Sequence, residues 1–355
     1  MSEAATIPVT IVTGFLGAGK TSLLNALLRA PEMAASLVLI NEWGEVGLDH
    51  LLIEKVDGDV ILLSSGCLCC TLRGDLVDAL RDCLERRDSG AIARFERIII
   101  ETTGLADPSP IMHALLSDAE LARRLRLAGI VTLVDAVNGA ATIANHRVAA
   151  RQIALADVLG ISKSDLLDPA KRGASLHELR ETLRAQNPAA PLVDIASGGF
   201  GVGEFVALEQ SVNLHDAREL ESLPATPMHN SWIKTRIFRA ARPLDPATFT
   251  DFLELLGGLL GPKLLRIKGL IALADDPASP LVLHGAQHVF HPPRRLAQWP
   301  DGDRTTRIVM IVEGVPAATI DRLWAALTRA PAIDAPDMAA LTQSPLSAPR
   351  GGLLG

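Results

Sequence analysis

From Ile7 onward, short β-branched and aliphatic runs alternate with longer segments whose apolar residues recur every three or four positions. "PVTIVTG", "SLVLIN", "DVILLSS", "RIIIETT", "GIVTLVDA", "DVLGIS" and "PLVDIAS" predict strands. "TSLLNALLRA", "LRGDLVDALRDCLERR" and "SLHELRETLRAQ" predict three of the helices between them. Strands separated by helical segments require crossover connections, so the fold class is α/β, a doubly wound and mostly parallel sheet. The rhythm stops after Ser197, and a stretch punctuated by Gly, Pro and Ser follows. Beyond it, "SWIKTRIFRA", "DPATFTDFLELLGGLL", "KLLRIKGLIALA", "PLVLHGAQHVFH", "TTRIVMIVEG" and "AATIDRLWAALTR" read as β-α-β-β-β-α, a smaller α+β domain with its helices on one face of one sheet. The predicted organisation is a first domain over 1–215, a linker over 216–230, a second domain over 231–330 and a flexible tail over 331–355.

Composition narrows the function classes. Hydrophobic residues make up 48% of the 355 positions, enough for two cores, and the net charge of −7 carries no electrostatic footprint for nucleic acid or an anionic membrane. No basic segment followed by an apolar run opens the sequence, and no apolar stretch is long enough to span a bilayer, so a cytoplasmic protein is expected. In that compartment the four cysteines stay reduced, and a disulfide framework is not expected.

The strongest motif is Gly14-Phe15-Leu16-Gly17-Ala18-Gly19-Lys20-Thr21, the pattern G-x-x-x-x-G-K-[ST], directly after a predicted strand and before a predicted helix. Glycines let backbone N–H groups converge on phosphate oxygens, and the helix N-terminus adds its positive dipole end. Gly14, Gly17, Ala18, Gly19, Lys20, Thr21 and Ser22 are therefore candidate nucleotide contacts, Lys20 as a point charge and Thr21 as a Mg²⁺ ligand. "RIIIETTGLADP" ends a hydrophobic strand in Glu101, a candidate for organising Mg²⁺ or positioning water, and Gly104 brings a backbone N–H close to the γ-phosphate. "GISKSDLL" is close to the [NT]-K-x-D signature of GTPases. Lys163 and Asp165 are its candidates, because an acceptor-only carboxylate matches the N–H edge of guanine. Ser162 stands where that signature usually has Asn, and loss of the amide weakens the expected support of base and P-loop.

Together "GFLGAGKT", "LINEWGEVGLD", "SSGCLCCTL", "IIETTGLADPSP", "VTLVDA" and "SKSDLL" stand in the order found in CobW-like GTPases, and "LLRIKGLIAL" with "TTRIVMIVEG" resembles their C-terminal domain. The resemblance covers about residues 7–328. It implies a P-loop GTPase related to the nickel-insertion GTPases, acting in zinc homeostasis, cobalt supply or activation of metalloenzymes such as nitrile hydratase. It also implies GTP, Mg²⁺ and a transition metal, Zn²⁺ first and Co²⁺ second, and a client metalloprotein that receives the metal. A nucleotide- or metal-dependent dimer is a further expectation. The histidine-rich stretch carried by many members is missing, which argues against metal storage.

Cys67, Cys69 and Cys70 fall between a predicted strand and a helix starting near Leu72. If that strand runs parallel to the first, they lie at the phosphate edge of the sheet, where a helix N-terminus favours thiolate. Thiolates suit tetrahedral Zn²⁺ or Co²⁺. Alternation puts Cys67 and Cys69 on one side as the core pair, with Cys70 third. No second Cys or Cys/His pair completes a closed site, so an exchangeable one is expected, with Glu42 as first choice for a further ligand and Glu45, Asp49 and His50 behind it. Structural thiols and a Cys67/Cys70 redox pair are the alternatives; Cys83 reads as core. On a single strand, His284 and His288 would share a face opposite His291, a weaker candidate for a second metal site. The rivals to a GTP-dependent metallochaperone are a regulatory GTPase switch with structural cysteines and a P-loop kinase or ATPase.

Overall fold

The computed structural model describes residues 6–41, 60–63, 72–210, 232–287, 289–290, 294–300 and 302–329. Its first sheet contains β1 (Ile7–Gly14), β2 (Ser36–Asn41), β3 (Val60–Leu63), β4 (Arg97–Glu101), β5 (Leu125–Asp135), β6 (Val158–Ser162) and β7 (Leu192–Asp194). The strand order is β3-β2-β4-β1-β5-β6-β7, with every pair parallel. Helices α1 (Lys20–Leu28), α2 (Leu72–Asp88), α3 (Ser109–Ser117), α4 (Ala119–Arg124), α5 (Gly139–Asn145), α6 (Arg147–Leu155), α7 (Arg172–Gln186) and α8 (Val202–Gln210) make the crossovers and cover the faces. The expected doubly wound α/β fold is therefore present. Parallel strands covered on both faces cannot alternate polar and apolar residues, which is why "RIIIE" and "LVLIN" read as continuous apolar runs.

Registry brings the functional ends together. Val12 of β1 pairs with Glu101 of β4 on one side and Val131 of β5 on the other, while Gly14 pairs with Leu133, Asp135 with Ser162, and Ile161 with Asp194. The ends of β1, β4, β5, β6 and β7 thus share one edge, and the order reverses at β1, the place where open α/β sheets bind ligands. β3 runs parallel to β2 and ends at that edge too.

The second sheet is antiparallel. It contains β8 (Ile233–Ala240), β9 (Leu264–Ile271), β10 (Leu281–Ala286), β11 (Val289–Phe290), β12 (Arg294–Arg295) and β13 (Thr306–Glu313), ordered β11-β10-β9-β13-β8 with β12 beside β10. Helices α9 (Pro246–Leu260) and α10 (Ala317–Arg329) cover one face. Asp245 caps α9, its side chain accepting from the Thr248 N–H at 2.8 Å. Phe249, Phe252, Leu256 and Ile320 pack there on Ile308, Met310 and Val312 of β13. The intervening Val309 and Ile311 point the other way, into a core shared with Ile111, Leu115, Ala150 and Ala154 of the first domain. Both faces of β13 are thereby buried.

One expectation is corrected. "PLVLHGAQHVFH" is not a single strand: it turns back at Gln287, whose φ of 57° is left-handed, and β11 pairs antiparallel with β10. The continuous-strand argument that put His284 and His288 on one face therefore does not hold. His284 is buried and pairs in register with Lys268 of β9, and His288 and His291 lie outside the described residues.

The domain joint also contains charge. Asp157, 4% exposed and immediately before β6, accepts the Ile130 N–H at 2.9 Å and meets Lys268 Nζ at 2.9 Å, with Arg266 in direct contact. Burial pushes its carboxyl up, but Arg266, Lys268 and His284 outweigh burial and hold it far below the usual carboxylate range. Thr235 of β8 adds a hydrogen bond to the Gln186 carbonyl at 2.7 Å.

Candidate functional site

β1 ends at Gly14 and the chain loops through residues 15–19 before α1 begins at Lys20. Gly19 sits at φ 92°, a left-handed turn that a side chain would strain, and it directs the loop into the helix. The first turn of α1 holds no acidic residue, so its positive end faces the loop uncompensated. Lys20 is buried, and its ammonium donates to the carbonyls of Gly14 at 3.0 Å and Phe15 at 3.3 Å. It is thus folded across the loop mouth, where a phosphate oxygen would replace those carbonyls. Ala18 is buried, Gly17 and Ser22 exposed.

Thr21 and Glu101 meet at this edge, the threonine hydroxyl donating to Glu101 Oε1 at 3.0 Å. Glu101 is only 3% exposed although it ends a strand at the open edge. Two hard oxygen donors so placed, one a nearly buried carboxylate, fit Mg²⁺ rather than a thiophilic metal. Gly104 lies under the P-loop: a Cβ there would stand 2.4 Å from the backbone nitrogen of Leu16, so no other residue permits this approach.

The ends of β5, β6 and β7 form the other half. Lys163 adopts φ 57°, and its ammonium lies 2.8 Å from Asp135 Oδ2. Burial raises the Asp135 carboxyl, but Lys163 and the N–H groups of Val137 and Asn138 overcome it and keep it ionised. Ser164 donates to Asp194 Oδ1 at 2.7 Å, joining this turn to the loop after β7, and Asp165 is exposed with its carboxylate at the surface. Ser162 keeps part of what an amide would do there: its hydroxyl donates to the Ala18 carbonyl at 2.7 Å, tying β6 directly to the P-loop.

Sequence reasoning missed Asp135, which holds Lys163; "VTLVDA" was its only trace. It also missed Gln152, whose amide donates to the Gly104 carbonyl at 3.2 Å and the Ala106 carbonyl at 2.9 Å, because nothing in the spacing marks a glutamine on a helix as a loop ligand. Cys67, Cys69, Cys70, Glu42, Glu45, Asp49 and His50 lie outside the described residues. Cys83 is a buried free thiol, raised first by burial and then by Asp82. Among the described residues no group of three or more His, Cys, Asp or Glu could hold a metal ion, and no helix is long and apolar enough to cross a membrane.

Residues 8–194 match the family model described as CobW/HypB/UreG, nucleotide-binding domain, and residues 233–328 match the cobalamin synthesis protein cobW C-terminal domain. The chain is 31% identical over 318 residues to the zinc chaperone YjiA of Escherichia coli, covering 87% of this chain and 94% of that protein. It is 36% identical over 280 residues to zinc-regulated GTPase metalloprotein activator 1 of Schizosaccharomyces pombe, covering 70% of this chain and 65% of that one. The crystal structure of Zn(II)-bound YjiA GTPase from E. coli matches with a TM-score of 0.70 at 27% identity, covering 91% of this chain and 99% of that one.

Proposed function

Because the chain belongs to the CobW/HypB/UreG nucleotide-binding family and also carries the CobW C-terminal domain, we propose that it is a GTP-hydrolysing zinc chaperone that passes its metal to a client metalloprotein. The observation that carries this reading is the shared edge: the phosphate loop, the Thr21–Glu101 oxygen pair and the end of β3, from which the chain runs into Cys67, Cys69 and Cys70, all lie at the carboxyl ends of one parallel sheet. Residues 1–215 are the GTPase unit and 231–330 the second unit, which takes part in client recognition.

Residue roles follow from chemistry. Lys20 and the N-terminus of α1 hold the β- and γ-phosphates against the backbone of Gly14, Gly17, Ala18 and Gly19, with Ser22 beside them. Thr21 and Glu101 would hold Mg²⁺, which when bound neutralises charge on the transferring phosphoryl group. Gly104 offers its N–H toward the γ-phosphate. Lys163 lies along the base, and Asp165 accepts its N–H groups. Cys67 and Cys69, with Cys70 and Glu42, bind the cargo, zinc first and cobalt second. Leu16, Leu105, Val137 and Leu166 are exposed in the loops at this same edge, and contact with a client metalloprotein there is part of this reading.

Two measurements check this reading. Cobalt bound in place of zinc will show intense thiolate charge-transfer bands that change with a non-hydrolysable GTP analogue and vanish in C67A/C69A. Bands indifferent to nucleotide and to both cysteines would remove the chaperone role. Asp165→Ala will weaken GTP binding by about 10- to 100-fold, the loss of one charge-assisted hydrogen-bond pair, while ATP binding stays weak and unchanged. Equal competition by ATP and GTP in the unsubstituted protein would overturn the role of Asp165.

A further inference from the structure

The loop after β4 is gripped from two sides. Gly104 packs beneath the backbone of Leu16 in the P-loop. From the other side α6 reaches it twice: Gln152 donates to the Gly104 and Ala106 carbonyls, and Arg151 Nη1 lies 3.0 Å from Asp107 Oδ2. The remaining oxygen of Asp107 is committed to α3, accepting from the Ser109 N–H at 2.9 Å and the Ser109 hydroxyl at 2.6 Å. Asp107 is therefore fixed at the point where the loop becomes helix.

Arg151 continues into the second domain. Its Nε lies 3.4 Å from Oε2 of Glu313, the last residue of β13. The other Glu313 oxygen accepts from Arg147 Nη2 at 2.7 Å, and the Arg147 guanidinium stands 4.8 Å from the centroid of the Trp232 ring, next to β8. The side chains of Arg151, Asp107 and Glu313 are 27%, 25% and 14% exposed, so the attraction is only partly screened. Arg151 Nε makes no hydrogen bond among the described residues, so Glu313 is held by nearness of charge and not by a directed donor; the broad guanidinium lies beside both carboxylates at once, which a compact ammonium cannot do.

We propose that Arg151 is a positioning residue for GTP hydrolysis, and that Glu313 makes the second domain part of the machinery by holding it. The Asp107–Arg151–Glu313 bridge sets where the Gly104 loop rests against the P-loop, so a client that pulls on the end of β13 changes turnover at a distance. The element both sites bias is the loop of residues 104–107. This inference rests on the reading of the chain as a GTPase.

Steady-state phosphate release by the full chain tests it. Arg151→Ala, Arg151→Lys and Glu313→Gln will each lower kcat about 5- to 10-fold, the size of effect carried by such networks. KM for GTP will stay at the unsubstituted value, and the variants will remain folded at the assay temperature, with a drop in denaturation midpoint too small to account for the loss of kcat. The double variant R151A/E313Q will be no slower than R151A, since both remove one bridge. Raising salt will slow the unsubstituted protein toward the variants and leave R151A unmoved, a comparison that does not depend on Glu313→Gln folding. Undiminished kcat in Glu313→Gln, losses that multiply in the double variant, or full recovery in Arg151→Lys would each overturn the proposal. Absence of GTP turnover in the unsubstituted protein would instead sink the GTPase reading on which it stands.

Discussion

Asp157→Asn will cost the folded chain about 3–5 kcal/mol, the penalty for removing one partner from a buried ion cluster. The amide side chain would keep the volume and the hydrogen bond from Ile130 but lose the charge facing Arg266 and Lys268, which are 4% and 1% exposed. Two cations would then lie at a dry joint that has lost the carboxylate between them. Denaturant unfolding followed by tryptophan fluorescence reads this well, because Trp232, Trp299 and Trp324 all lie in or beside the second domain. Acid should produce the same loss reversibly. The folded carboxyl is depressed, so its stabilisation is complete above the ordinary aspartate value of about 4 and drains away as pH falls below that value. The asparagine variant should lack this component of the acid dependence. A variant as stable as the parent would show that the cluster contributes nothing to the joint.

Lys20→Ala will lower kcat/KM for GTP by about 10²- to 10³-fold, comparable to removing one preorganised donor from developing charge. The residue is 8% exposed, and its ammonium is held by the carbonyls of Gly14 and Phe15 at the mouth of the loop. A phosphate that enters takes over a charge already in position, so little reorganisation is needed at the moment of reaction. Alanine leaves the backbone cradle and Thr21 in place but withdraws that charge. Lys20→Arg should not rescue activity, since the loop is shaped around a slender stem and the guanidinium is broad and planar. Phosphate release together with binding of a fluorescent GTP analogue separates lost chemistry from lost affinity. Near-normal turnover in Lys20→Ala would remove the P-loop from the reaction.

The parallel sheet was legible because burial on both faces writes long apolar runs, and its P-loop because glycine spacing and a following lysine have few other uses. The hairpin at Gln287 was not. Its turn uses a glutamine in the left-handed region, where glycine or asparagine would have announced it, and the apolar run continues through the bend. Arg266 and Lys268 were hidden for a different reason. By alternation in "LLRIKGLI" they read as one polar, solvent-facing side, and the first domain makes that side an interior, its apolar core covering Val309 and Ile311 beside them and its Asp157 meeting their charges. Arg151 and Glu313 left no signal, since an ion pair between distant segments has no period. Ser162 shows a different case: the departure from the usual residue was legible, but the bond its hydroxyl makes to the Ala18 carbonyl was not.

The charged joint also has a history in time. Asp157 is synthesised 109 residues ahead of Arg266, a gap of about 5–20 s at a ribosomal rate of roughly 5–20 residues per second. Through that interval the first domain can close its sheet and load a nucleotide, yet the sides of α3 and α6 that β13 later covers stay wet and Asp157 has no cation. The nascent chain passes through a stage with a finished phosphate loop and an open flank. Its translation speed between these two codons therefore sets how long that flank is offered to chaperones, or to the flank of a neighbouring nascent chain.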